Sequence, residues 1–277
     1  MATNNTYDSI LKFINSPSFS SRGSFPNGFL FGAGSSALQI EGAQHEGGRG
    51  LCIWDDIIEY KKGVYLDVDK FSKKIEHYKR YKEDVQLLKK LGVNSYRMSI
   101  SWNRVMPNGT LEGGINQEGI NFYNNLINEL LKNGIEPFVT IMHFDYPLAL
   151  QQKLGGFLNH SIVTHFKDFS ELLFKTYGDR VKHWTTINEG EVTVVFQYMH
   201  NSDNMFVEAC PTKAIDAGVN VRGYFAWAAF DTFEFQAGYS RNWGLYHVDF
   251  NDSLKRIPTE AANWYNKNLT DEFSNLN

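Results

Sequence analysis

The sequence predicts an α/β fold built on a parallel sheet, and three observations carry that expectation. Amphipathic helical stretches alternate with short β-rich ones. A glycine closes each helical stretch, at Gly92, Gly134 and Gly178, at a near-constant interval. With 277 residues and 42% hydrophobic content, the chain is long enough for one domain of barrel size, which runs to roughly 250 residues. Parallel neighbours need a long return connection, so a repeating helix, glycine, strand unit implies right-handed crossovers.

Residues 29–36 form the first predicted strand. Residues 70–91 carry Phe71, Ile75, Tyr78, Val85 and Leu88 at helical spacing amid charge, stop at Gly92, and lead into a second strand at 93–102. Residues 118–131 repeat the scheme with Ile120, Tyr123, Leu126, Ile127 and Leu130, ahead of a third strand at 138–143. Residues 162–178, with Phe166, Phe169, Leu172 and Leu173, precede a fourth at 181–187, and 223–228 reads as a fifth. A closed barrel of this plan needs eight. The interval from Glu189 to Arg222 is about the length of one minimal βαβ unit, roughly 30 residues, so three further strands with their helices do not fit.

Charge and composition narrow the partners. The net charge of −4, from 27 basic and 31 acidic residues well mixed along the chain, gives no footprint for nucleic acid or an anionic membrane surface. Cys52 and Cys210 have neither metal-ligand nor redox spacing and read as small apolar residues. The first 25 residues hold no apolar signal core and no run is long enough to span a bilayer. The chain as written therefore reads as cytoplasmic, while five Asn-x-Ser/Thr sequons, at Asn4, Asn108, Asn159, Asn251 and Asn268, keep a secretory or vacuolar location as the alternative.

The run Thr185-Thr186-Ile187-Asn188-Glu189-Gly190 ends a β segment on an Asn-Glu pair, the place where a parallel (β/α) enzyme presents its chemistry. Taken singly, His143 would read as a core histidine, Trp227 and Phe235 as core or interface aromatics, and Arg97 as half of a structural ion pair.

Together the motifs say more. Phe25-Pro26-Asn27-Gly28-Phe29-Leu30-Phe31-Gly32 with Gln39-Ile40-Glu41-Gly42-Ala43, Tyr96-Arg97-Met98-Ser99-Ile100-Ser101-Trp102-Asn103-Arg104, His143-Phe144-Asp145-Tyr146-Pro147 and Asn188-Glu189 resemble the N-terminal half of a plant family 1 glycoside hydrolase, a β-glucosidase. Gly223-Tyr224-Phe225-Ala226-Trp227 through Phe233-Glu234-Phe235, Gly238-Tyr239, Gly244-Leu245-Tyr246 and Leu254-Lys255-Arg256 resemble its C-terminal end. The resemblance implies a TIM (β/α)8-barrel family fold, incomplete here, with strands one to four and eight, in a single domain over 1–277. It also implies hydrolysis of O-glycosyl compounds by a retaining pair of glutamates. One protonates the leaving oxygen and the other, about 5–5.5 Å away, attacks the anomeric carbon.

By that resemblance Glu189 is the acid/base, Asn188 bonds the sugar's 2-hydroxyl, Gln39, His143, Trp227, Glu234 and Phe235 bind sugar, and Arg97 orients the nucleophile. The ligand implied is a small-molecule β-glycoside, with no metal and no organic cofactor. The family's nucleophile sits in a Thr-Glu-Asn-Gly motif, and no Glu-Asn-Gly occurs in this sequence. Residues 201–218 look like sequence following strand four joined directly to the helix before strand eight, with the junction near 210–216. Gly190 stands where the family usually has proline, and Phe235 where it usually has tryptophan, which removes an indole N–H donor. The missing nucleophile leaves a second expectation open: a catalytically inactive homologue, a weak sugar binder, an assembly partner, or a splice or gene-model product. Open barrel edges would favour pairing with another copy.

Overall fold

A computed structural model of the chain describes residues 22, 25–60, 65–190 and 222–270. The expected junction near 210–216, Cys210 and Asn4 lie outside the described residues. Five parallel strands form one sheet: β1 (Leu30–Gly34), β2 (Ser95–Ser99), β3 (Glu136–Met142), β4 (His183–Ile187) and β5 (Gly223–Trp227), in the order β4-β3-β2-β1-β5. All five expected strands are present, each within a few residues of its expected bounds.

Register gives the sheet its barrel character. A single row of paired residues runs Trp227, Gly34, Arg97, Phe138, His183. It joins the last residue of β5 to the first residue of β4, and this progressive stagger is the shear that a closed barrel requires. Curvature carries inward side chains across the interior. Phe225 of β5 meets Phe138 of β3 edge to face at 5.1 Å, although β1 and β2 lie between them in the sheet. Room for this comes from β1, where a Cβ on Gly32 would lie 2.1 Å from the Phe225 ring.

Three helices cover the outer face: α1 (His77–Leu91), α2 (Gln117–Lys132) and α3 (Ile162–Tyr177). Val85, Leu88 and Leu91 of α1 and Ile120, Tyr123, Ile127 and Leu130 of α2 are buried at three- and four-residue spacing, one apolar stripe per helix. Phe169 of α3 stacks on Trp102 at 5.0 Å, and Phe174 meets Trp184 of β4 at 4.9 Å. Asn116 caps α2, its side chain accepting from the Glu118 N–H at 3.2 Å.

Two expectations need correction. The helix expected over 70–91 begins only at His77, because Lys74 and Glu76 adopt left-handed φ values of 50° and 56°. Phe71 and Ile75 are nonetheless buried, so their spacing reported the core and not a helix. Gly92 and Gly134 end their helices at positive φ (84° and 74°), as a left-handed cap does, whereas Gly178 stays right-handed at −66°. Its lack of a side chain serves packing: a Cβ there would lie 2.4 Å from the Phe174 carbonyl oxygen.

Beyond the sheet, β6 (Tyr246–Asp249) and β7 (Lys255–Pro258) make an antiparallel hairpin followed by α4 (Glu260–Thr270), elements the sequence reading did not assign. A buried cluster fastens the hairpin to the N-terminal half. Arg256 donates to Asp84 at 2.9 and 3.2 Å and to the Ile75 carbonyl at 2.7 Å, and His77 Nδ1 lies 2.8 Å from Asp84.

Among the described residues, β4 and β5 each have one strand neighbour. Their side chains are half-buried or exposed, whereas those of β2 are almost all buried. Among the described residues β4 and β5 are the outer strands of the sheet, Tyr224 and Trp227 of β5 are 44% and 36% exposed, and outer strands favour edge-to-edge association. Size-exclusion chromatography with light scattering on the purified chain is expected to give dimers or larger species. A sharp monomeric peak with cooperative melting would overturn that expectation.

Candidate active site

The expected site residues gather at the C-terminal end of the sheet, each delivered by a different element. Gln39 lies on the short helix Ala37–Ile40 after β1, Arg97 within β2, and His143 directly after β3. Asn188 and Glu189 follow β4, Trp227 is the last residue of β5, and Glu234 lies in the loop beyond it. This is the end at which (β/α) folds place their chemistry.

Contacts link them into one continuous surface. Gln39 Nε2 donates to Glu234 Oε1 at 3.3 Å and to the Phe233 carbonyl at 3.1 Å, while its Oε1 accepts from the Ser36 hydroxyl at 2.6 Å. Glu234 also takes hydrogen bonds from the Thr232 hydroxyl and the Trp227 indole. The Trp227 ring lies nearly parallel to the His143 ring at 5.6 Å and has the Arg97 guanidinium 5.9 Å from its centroid. Arg97 Nη2 donates to Asn188 Oδ1 at 2.6 Å. Asn188 is held by its own backbone N–H, which donates to the Met142 carbonyl at 3.0 Å.

Phe235 sits differently. Its ring packs against Trp54 at 4.7 Å and Phe144 at 5.8 Å, so it continues an aromatic wall beside Glu234.

Protonation follows from burial. Desolvation raises the Glu234 carboxyl, and the hydrogen bonds from Thr232 and Trp227 oppose this while the charge of Glu189 adds to it. Burial holds His143 well below the usual histidine range, helped by the nearby Arg97 charge, so its ring is neutral at physiological pH. Behind His143, burial and then the field of Glu41 push Asp145 up to about 8, with Arg49 opposing. Asp145 Oδ1 accepts from the His143 N–H at 3.3 Å, and Oδ2 is buried without a hydrogen-bond partner.

The Asp145 shift makes a signed prediction. An unfolded aspartate ionises near pH 4, so between about pH 4 and pH 8 the folded chain holds a proton that the unfolded chain has lost, and stability falls as pH rises through that window. Asp145→Asn is expected to flatten this decline in urea midpoints measured from pH 5 to pH 8. Parallel slopes for the two proteins would refute the shift.

Buried pairs that no local sequence pattern announces support the loops around the site. Arg104 pairs with Glu41 at 2.8 Å with both side chains buried, and Glu41 also accepts from the Tyr123 hydroxyl at 2.7 Å. Arg49 pairs with Asp55 at 2.8 Å beside Cys52, whose thiol burial pushes up to about 12, keeping it protonated and unreactive. Ala43, Phe144, Glu189 and Phe235 all take positive φ, one in each loop following β1, β3, β4 and β5. Among the described residues, five other non-glycine positions do so elsewhere. Such strain persists where the surroundings impose it, often at functional sites, and no residue pattern in the sequence announces it.

Known proteins agree with this architecture. The family described as Glycosyl hydrolase family 1 matches in two segments, residues 21–204 and 201–272, which meet within the interval between β4 and β5. A furostanol glycoside 26-O-beta-glucosidase of Hellenia speciosa is 57% identical over 168 residues, 61% of this chain and 30% of that protein. A non-cyanogenic beta-glucosidase of Trifolium repens is 54% identical over 169 residues, 61% of this chain and 34% of that protein. The matched stretch thus spans about a third of these relatives. Among solved structures, a rice beta-glucosidase superposes with a TM-score of 0.79 at 23% identity, over 90% of this chain and 99% of that one. A family 1 β-glucosidase of Thermotoga maritima does so with a TM-score of 0.78 at 25% identity, over 88% and 98%. Its ordered motifs, its staggered five-stranded sheet and these matches place the chain in glycosyl hydrolase family 1.

Proposed function

We propose that this chain carries a β-glucosidase-type site for small-molecule O-β-glycosides, with Glu189 as the proton donor. The supporting observation is the unbroken run of contacts from Gln39 through Glu234, Trp227 and Arg97 to Asn188. It presents polar groups that read hydroxyls beside an aromatic wall, as a neutral amphipathic ligand requires. Gln39, Glu234, Asn188 and neutral His143 supply hydrogen bonds, Trp227 a stacking face, and Arg97 a fixed positive charge at the reacting end.

The chemistry is half of a retaining mechanism. Glu189 gives its proton to the glycosidic oxygen as the bond to the anomeric carbon breaks, and the aglycone leaves as an alcohol. The attacking carboxylate of the family's Glu-Asn-Gly motif has no counterpart in this sequence. The bond to the anomeric carbon must then be made by a nucleophile from solution, and an added anion such as azide leaves as the glycosyl adduct. Phenyl β-glucoside, whose leaving oxygen needs a proton, is the appropriate probe. Release of phenol is expected with azide or formate and not without it.

A second reading, a sugar binder without turnover, is favoured by the exposure of the Glu189 side chain together with the missing motif. Saturable glucoside binding with no phenol release under either condition would establish it.

A further inference from the structure

We propose that the cavity between the β6–β7 hairpin and the loop beyond Glu234 binds a small neutral polyol, no larger than a single pyranose. Its volume is about 170 Å³, below the roughly 300–1,000 Å³ of clefts that hold drug-sized ligands. None of the residues lining it belongs to the site built around Glu189. Strand alternation sets one wall: Tyr246 and Val248 of β6 are buried, while His247 and Asp249, two residues apart on the other face, line the cavity. Behind His247 stands Asp231, whose side chain is 4% exposed against 41% for the histidine. Its carboxylate accepts the Gly244 N–H at 3.0 Å and the Val248 N–H at 3.1 Å, and His247 Nδ1 lies 2.7 Å from it. A carboxylate that accepts from the backbone accepts from the ring as well, so Nδ1 carries the hydrogen and, in the neutral ring, Nε2 is left as an acceptor.

The rest of the lining decides the class of ligand. Asp249 gives one oxygen to the Asn251 N–H at 2.9 Å, which leaves the other for a donor on the ligand. An anion would meet two carboxylates, Asp231 and Asp249, and one ammonium, Lys70, which is already held by Asp67 at 2.6 Å. A cation fails for a different reason: the Lys70 ammonium lies 5.0 Å from the Phe250 ring centroid and occupies the aromatic face that a second cation would need. Tyr239 closes the floor. It is 9% exposed, with its ring 4.4 Å from that of Phe250 and its hydroxyl buried without a hydrogen-bond partner. A neutral molecule with several hydroxyls answers this lining, since each hydroxyl both donates and accepts and the carbon-bound faces rest against aromatic rings. His247 Nε2 and Asp249 accept from it, and the side-chain amides of Asn242 and Asn251 serve either role.

The purified full chain at pH 8, above the ordinary histidine range, is titrated with myo-inositol, a neutral polyol without a glycosidic bond, and followed by the NMR signals of its histidine rings. The His247 signal is identified as the one lost in His247→Gln. It is expected to shift saturably, with a dissociation constant on the order of 1 mM for a ligand of so few atoms. Polyols at high concentration stabilise folded proteins by exclusion from their surface, so the local signal is read and not the unfolding midpoint. Asp249→Ala is expected to weaken binding about tenfold, the loss of one charge-assisted hydrogen bond. Should that variant not fold, His247→Gln decides, with saturation transfer from protein to inositol expected to fall by a similar factor. A His247 signal that does not saturate, or inositol binding retained in full by the variant that decides, overturns the inference. Inositol binding without glucoside cleavage supports it while leaving the catalytic proposal to fail alone, and glucoside cleavage without a His247 response removes this inference alone.

Discussion

Asp84→Asn is expected to destabilise the folded chain by about 3–5 kcal/mol, the loss that follows when one partner of a buried ion pair is removed and the other stays buried. That is a large share of the total stability of a domain, about 5–15 kcal/mol. Asp84 and Arg256 are fully buried, and the substitution leaves the guanidinium facing one neutral oxygen where it had two charged ones. It also loosens His77, whose ring leans on the same carboxylate. This cluster is the buried ionic part of the fastening between α1 and the β6–β7 hairpin, beside the bonds from Arg80 to the Ser253 and Leu254 carbonyls and from Tyr246 to the Leu87 carbonyl, so its loss loosens the C-terminal segment.

The pH dependence adds a check. Burial by itself would raise Asp84, but the hydrogen bond and charge of His77 and then those of Arg256 outweigh it and hold the carboxyl below its usual range. A depressed carboxyl contributes stability that is complete above the unfolded pKa near 4 and fades as pH falls through the lower folded value. Wild type is therefore expected to lose stability toward acid along a limb that Asp84→Asn lacks. Urea unfolding at matched oligomeric state measures both effects. A loss below about 1 kcal/mol, the range of exposed pairs such as Lys167 with Glu171, would mean that the cluster does not hold the hairpin.

Glu189→Gln is expected to lower azide-assisted release of phenol from phenyl β-glucoside by about 10²–10⁴-fold, the usual contribution of a positioned general acid. Glutamine keeps the shape and the left-handed turn of the chain but has no proton to give. A glucoside with a strongly acidic leaving phenol needs little protonation, so with it the same substitution should matter far less. That difference between substrates identifies proton donation, because a folding defect would depress both equally. Equal losses on the two substrates would remove Glu189 from the role of acid. Azide dependence retained in full by the variant would place the proton donor elsewhere.

Much of the scaffold was legible because its signals are local. Val85 and Leu88, or Ile127 and Leu130, recur at helical spacing whatever lies above them, and the β-rich runs at 95–99 and 136–142 are bounded by glycine and turn residues. The one helix misplaced, at 70–91, shows the limit of periodicity: Phe71 and Ile75 reach the core by separate turns, which apolar spacing cannot distinguish from a helix. The β6–β7 hairpin is hard to read from sequence because its strands are four residues each, too short for the alternation in Tyr246–Asp249 to stand out.

The site divides in the same way. Asn188-Glu189 stands out in the sequence because the pair ends a β-rich run, whereas His143 takes its expected role from the resemblance. The bonds that join the site connect residues far apart in the chain: Gln39 with Glu234, Arg97 with Asn188, Arg256 with Asp84. No local pattern encodes such pairings. They depend on the stagger that brings Trp227 level with Gly34 and Arg97, a property of the whole sheet.

The sequence by itself determined the repeating unit, the parallel sheet, the family and the lack of an Glu-Asn-Gly nucleophile, since each of these is written in residue type and spacing along one dimension. Only the tertiary structure decided which buried charges are paired, which loops hold strained residues, and that half-buried Arg97 donates to a neutral amide where Arg49, Arg104 and Arg256 meet carboxylates. Burial and partnership arise when distant segments exclude water together, and desolvation, which sets the energy of every charge in the site, has no value until they do.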